Sequence, residues 1–136
     1  MNGPQFNLEV VTLKRLIFSG MVEDVMAPGS VGYFEILRGH TPFVSSLQPG
    51  IFTLTLPRGE KKTMAISGGF LLTDGEKVIV LADSAETPDE IDLERAKASR
   101  DRAQRRLTEN PPDLDILRAK ASLHRALARL KVAGPP

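Results

Sequence analysis

The chain has 136 residues, 41% hydrophobic and 26% charged, with a formal net charge of +1. That suffices for one good core, or for a β domain with a small appendage, and the balance excludes a whole-molecule polyanion binder. Cysteine is absent, which excludes disulfides and thiolate metal sites and fits a reducing compartment.

Met1 to Pro4 show no basic stretch leading into an apolar run, so no signal peptide is expected. No apolar stretch approaches the length of a membrane span, so direct membrane insertion is not expected. From Phe6 to Ala82 short apolar alternations are broken by turn residues. Leu8, Val10 and Thr12 alternate with Asn7, Glu9 and Val11; Phe52, Leu54 and Leu56 alternate with Ile51, Thr53 and Thr55. Such period-two runs, rich in β-branched and aromatic residues, predict strands. Asp74-Gly75, between Leu71-Leu72-Thr73 and Val78-Ile79-Val80, predicts a tight hairpin. Many short strands at this spacing predict an antiparallel sandwich or barrel.

Two body segments invite a chemical reading. His40, in Gly39-His40-Thr41-Pro42-Phe43, has no nucleophile or second ligand at a recognisable spacing, so a backbone hydrogen bond is expected of it. Gly68-Gly69 could cradle a phosphate only ahead of a helix, and the next element reads as a strand. A sharp bend or close sheet packing is expected there instead.

After Asp83 the composition changes. Glycine is absent from Ser84 to Ala133, and Ala, Arg, Leu, Glu and Lys dominate. Thr87-Pro88-Asp89-Glu90 is a capping-box pattern, and predicts a helix from about Pro88 to about Leu107. Thr108-Glu109-Asn110-Pro111-Pro112 stops it, and Asp113 is expected to cap a second helix. The second helix has the apolar stripe Ile116, Ala119, Leu123, Leu127 and Leu130; the first has Ala96, Ser99, Ala103 and Leu107. Gly134-Pro135-Pro136 ends the chain.

A short proline loop predicts an antiparallel helical hairpin with a weak, alanine-rich seam. Straightened, its two helices would span about 60 Å. Asp92, Arg95 and Ala96 share one face of the first helix. Counting from the loop sets Arg129 opposite Asp92 and Arg125 opposite Arg95 and Ala96, with Arg102 nearer the loop. Arg95, Arg102, Arg125 and Arg129 are then gathered around one carboxylate. Two readings follow: the arginines splay into water, or they hold a polyanion, since guanidinium forks suit phosphate oxygens.

These residues resemble the epsilon subunit of bacterial F-type ATP synthase. The resemblance rests on Phe18-Ser19-Gly20, Gly39-His40-Thr41-Pro42, Leu47-Gln48-Pro49-Gly50, Ser67-Gly68-Gly69-Phe70, Leu81-Ala82-Asp83-Ser84-Ala85-Glu86 and Ile91-Asp92-Leu93-Glu94-Arg95-Ala96. It implies an N-terminal β-sandwich of about ten strands over residues 1–84 and a helical hairpin over 85–136. It implies a non-catalytic subunit of the F1 sector, bound to the gamma subunit and the c ring. Such a subunit lies peripherally at the cytoplasmic face of the bacterial plasma membrane. The tail would extend to the alpha and beta subunits and inhibit ATP hydrolysis, with Arg118, Lys120, Arg125 and Arg129 meeting the beta subunits. ATP is implied as a regulatory ligand at Glu86, Ile91, Asp92, Arg95, Ala96, Arg102, Arg125 and Arg129; no obligatory cofactor or metal is implied.

One segment departs from the family: Tyr33-Phe34-Glu35-Ile36 stands where an acidic residue and Leu-Gly-Ile are usual, in a region expected to face the c ring. Two other classes are weighed. A free-standing sandwich binding module finds few aromatics to support it. Nucleic-acid binding is opposed by Asp92, Glu94, Asp101 and Asp115 within the basic helices.

Overall fold

The computed structural model describes residues 4–134; Met1–Gly3, read for a leader, and Pro135–Pro136, read as the chain end, lie outside the described residues. Eight strands come first: β1 Phe6–Val11, β2 Leu16–Val22, β3 Asp24–Gly29, β4 Gly32–Leu37, β5 Phe43–Thr55, β6 Lys61–Thr73, β7 Lys77–Ala82 and β8 Ala85–Glu86. Two helices follow, α1 Leu93–Glu109 and α2 Ile116–Ala133.

The strands hydrogen-bond in the order β2-β1-β7-β6-β5-β3-β4, with β8 also on β6. Pairing is antiparallel except between β1 and β7. β5 and β6 form a ribbon of two 13-residue strands. One half of it, Phe43–Leu47 on Gly69–Thr73, carries β7 and, beyond that, β1 and β2. The other half pairs with β3, where Val25 faces Leu54. β1 and β3 stand apart in the sheet order, yet Leu8 and Val25 share one core with Phe52, Leu54, Leu71 and Val80. The sheet therefore folds onto itself, and the expected sandwich is present. Among the described residues it has eight strands rather than about ten, because β5 and β6 each serve both layers without a break.

The bend of β5 requires close approach. A Cβ on Gly50 would lie 2.7 Å from Pro28 Cβ and 2.8 Å from the Tyr33 hydroxyl, which accepts a hydrogen bond from Ile51 N–H at 2.9 Å. Gly69 is tighter: φ is +137°, and a Cβ would stand 2.1 Å from the Leu81 carbonyl oxygen. There β6 exchanges partners, with Gly69 opposite Ala82 on β7 and Ile66 opposite Ala85 on β8. The paired glycines thus serve close packing. The Asp-Gly hairpin is present too, with Thr73 opposite Val78 and the Asp74 carboxylate accepting from Glu76 N–H and Lys77 N–H at 2.9 Å each.

The expected domain boundary at 84/85 falls just ahead of β8, whose pairing with β6 carries the sheet to Glu86. Next, Pro88–Glu90 forms a single 3-10 turn rather than the start of α1. Glu90 does reach back, Oε1 accepting from Thr87 N–H at 3.0 Å, while its Oε2 meets Arg15 Nη2 at 2.5 Å. Ile91 and Asp92 are extended, and α1 begins at Leu93 with Asp92 as N-cap. The carboxylate of Asp92 accepts from Arg95 N–H at 3.1 Å. α1 runs two residues past the expected Leu107 and ends on Asn110, whose φ of 46° is left-handed. The cap of α2 is Asp115, not Asp113, accepting from Arg118 N–H at 3.1 Å.

α2 lies between α1 and the sheet, contacting β5 and β6, while α1 packs on α2. This explains a correction to the expected α2 stripe. Ala119, Ala126 and Ala128 are buried, whereas Ile116 and Leu127 are exposed. A helix covered on two flanks buries small residues on both, and Ala128 faces the Gly50–Ile51 bend. On α1, Ala96 and Ala103 are buried as expected, with Ser99 and Leu107 half-buried. Each buried alanine methyl contributes only about 0.8 kcal/mol, so the seam is weakly held.

Candidate functional site

The hairpin encloses two adjoining clefts that share Ser99 and Arg129. The first, of about 240 Å³, lies toward the loop. α1 lines it with Ser99, Arg102, Ala103 and Arg106. α2 lines it with Arg118, Ala119, Ser122, Arg125 and Arg129. The second, of about 380 Å³, lies toward the linker and is lined by Glu86, Glu90, Asp92, Arg95, Ala96, Ser99 and Arg129.

Helical spacing produces this division. Positions 99, 102, 103 and 106 fall on one face of α1, and 118, 122, 125 and 129 on one face of α2. Five guanidiniums therefore converge on the first cleft without a carboxylate in its lining. Among the described residues Arg102, Arg106, Arg118 and Arg125 form no ion pair, and the pairs made by other arginines are Arg15–Glu90, Arg100–Asp101 and Arg129–Glu86. Arg125 Nη2 donates to Ser122 Oγ at 2.9 Å. Uncompensated guanidiniums in a shared concavity favour an anion with several oxygens.

Arg129, Asp92, Arg95 and Ala96 come together as the count from the loop predicts. Asp92 is not the partner of Arg129, however. Its carboxylate caps α1, and Arg129 Nε instead donates to Glu86 Oε1 at 2.5 Å, both side chains about 30% exposed (31% and 29%). Arg125 was expected opposite Arg95 and Ala96, and sits instead in the first cleft with Ser99 and Arg102. Ile91 is half-buried and lines neither cleft; Lys120 is exposed and lines neither. Sequence reasoning missed Arg106, Ser99 and Ser122 as cleft residues, and Glu90. The i, i+4, i+7 spacing of Arg118, Ser122 and Arg125 was the available signal.

Elsewhere the body offers little chemistry. His40 Nδ1 donates to the Thr41 carbonyl at 2.8 Å, and its ring leans on Phe43. Among the described residues no cluster of metal-ligating side chains occurs, and no helix is long and apolar enough to cross a membrane.

The same two-part plan recurs in known proteins. Residues 5–88 match the family model of the ATP synthase delta/epsilon chain β-sandwich domain, and residues 89–134 match that of its long α-helix domain. The ATP synthase epsilon chain of Moorella thermoacetica is 46% identical over 128 residues, covering 94% of this chain and 96% of that protein. That of Brevibacillus brevis is 43% identical over 105 residues, covering 77% and 80%. A solved chain from the Euglena gracilis mitochondrial ATP synthase, in an OSCP/F1/c-ring assembly, superposes with a TM-score of 0.81 at 25% identity. That match covers 98% of this chain and 84% of that one. The chain belongs to the delta/epsilon chain family of ATP synthase, among the bacterial F-type epsilon subunits.

Proposed function

We propose that this chain is a non-catalytic central-stalk component whose hairpin regulates ATP hydrolysis and senses ATP. The sandwich anchors it to the gamma subunit and the c ring, peripherally at the cytoplasmic face of the bacterial membrane, in an enzyme coupled to proton or sodium transport. The tail exchanges between the docked hairpin and an extended arm that reaches the alpha and beta subunits. The single observation carrying this reading is the arginine cleft, built from both helices and stocked with guanidiniums that have no carboxylate partner. An anion bound there holds α1 to α2, and so favours the compact state over the extended one.

The docked structure also bears on the inhibitory contacts. Arg118, Arg125 and Arg129 face the clefts, while Lys120 is exposed. Opening frees the three arginines for acidic surfaces of the beta subunits, and a bound phosphate chain withholds them. ATP and inhibition thus compete for the same side chains.

Calorimetry with ATP on the full chain is expected to show binding that Arg125→Ala weakens at least tenfold, a charge-assisted contact being lost. No heat of binding at millimolar ATP would refute the sensor. Ending the chain after Glu86, which leaves β8 in place, is expected to preserve assembly and raise hydrolysis by the complex. Unchanged hydrolysis would remove the regulatory role.

A further inference from the structure

Two serines face into the arginine cleft, one from each helix. Ser122 is held by Arg125, whose Nη2 donates to its Oγ at 2.9 Å. That bond fills an acceptor site of the hydroxyl and leaves its proton free to point elsewhere. The open space beside it is the cleft, which Ser122 also lines. A hydroxyl that accepts from a cation is polarised into a stronger donor. Ser99, half-buried on α1, lines the same space and both clefts.

We propose that Ser122 is a phosphate-binding and positioning residue, fixing Arg125 through its lone pair and donating its own proton to a phosphate oxygen, with Ser99 donating from the opposite helix. This rests on the reading of the cleft as a polyphosphate site and adds a neutral pair of donors to it. The physical advantage is geometric. Guanidiniums on long stems adjust their reach, whereas a serine hydroxyl is fixed close to the helix axis. Ser122 converts one arginine of the cluster from a mobile charge into an aimed one, and marks where along the seam a phosphate oxygen sits.

The test is titration of the full chain with ATP and with inorganic tripolyphosphate. Ser122→Ala, Ser122→Thr, Ser99→Ala, Arg125→Ala and the double variant Ser122→Ala/Arg125→Ala are compared. Ser122→Ala is expected to lose about tenfold in affinity for both ligands, Ser122→Thr to recover most of it, and Ser99→Ala to lose less. The double variant is expected to lose less than the product of the single losses, since Ser122 acts partly through Arg125. Melting without ligand serves as the fold control, because alanine suits a helix seam. If Arg125→Ala weakens binding and Ser122→Ala does not, the serine proposal falls while the cleft reading stands. A loss for ATP alone, with tripolyphosphate unaffected, also overturns it, because the hydroxyl would then touch the nucleoside. If the unsubstituted chain binds neither ligand, both readings fall together.

Discussion

Arg129 on α2 and Glu86 on β8 lie 43 residues apart in sequence and meet side chain to side chain at 2.5 Å. This ion pair joins the helical hairpin to the last strand of the sheet. Both partners also line the cleft toward the linker, so the contact that seats the hairpin is part of the candidate ligand site.

A double-mutant cycle between Glu86→Gln and Arg129→Ala, read by chemical denaturation, is expected to give a coupling energy of about 1 kcal/mol. The pair is roughly two-thirds shielded from water, which places it at the upper end for surface ion pairs. Amide exchange along α2 should quicken in either single variant. Coupling indistinguishable from zero would mean that the hairpin is seated by apolar contacts alone.

Asp92 separates helix capping from ligand binding. Its carboxylate caps α1 through Arg95 N–H. Asp92→Ala is expected to cost about 1 kcal/mol, and Asp92→Asn only a few tenths, because the amide oxygen still accepts. If the negative charge itself meets a ligand, Asp92→Asn lowers ATP affinity despite normal stability. Equal affinity in Asp92→Asn and the unsubstituted chain would confine Asp92 to the cap.

Glu90 should titrate below the ordinary glutamate value of 4.5, chiefly because Thr87 N–H and the Thr87 hydroxyl bind its carboxylate, with Arg15 adding to them. The fold therefore favours the charged form. Its stabilisation is fully present above the unfolded-state value and is lost as pH falls through the depressed folded one. Carbon-detected NMR titration should place the Glu90 midpoint low, and both Thr87→Val and Arg15→Ala should raise it. A midpoint at the ordinary value would show that the linker turn is not held by this carboxylate.

Glu35 shifts the other way. A hydrogen bond with Asp24 across β3 and β4 raises its carboxyl, and Lys61 opposes that shift. A raised carboxyl favours the folded state at low pH and loses that contribution as pH rises through the folded value. Asp24→Asn should bring the Glu35 midpoint down toward the ordinary one in the same experiment; an unmoved midpoint would mean that Asp24 is not what raises it.

Gly69→Ala is expected to destabilise the sandwich by about 3 kcal/mol or more, combining a left-handed backbone with a clash against the Leu81 carbonyl. Urea denaturation measures it. Stability within error of the unsubstituted chain would mean that β7 can shift away from β6 without loss.

Much of this was legible in local pattern. Period-two alternation marked the strands, and the absence of glycine from Ser84 to Ala133 marked the helical tail. What stayed hidden depends on distant partners. The pattern Thr87-Pro88-Asp89-Glu90 correctly signals a cap, yet it closes only a 3-10 turn. Arg15, 75 residues away, grips Glu90 from the β1–β2 turn, and the chain straightens at Ile91 before α1 begins. Asp113 was expected to cap α2, but Asp115, two residues on, does so. Glu86 was singled out only by resemblance, because nothing local says that β8 brings it to Arg129.

The unequal seating of the helices has a kinetic consequence. α2 rests on β5 and β6, and α1 rests on α2. The outer helix can therefore peel away first, leaving its partner berthed on the sheet. That first step already divides the arginine cluster, since Arg102 and Arg106 depart with α1 while Arg118, Arg125 and Arg129 stay behind. On the proposed reading, a ligand clasped by both sets would resist the earliest movement of release, when the least surface has been uncovered.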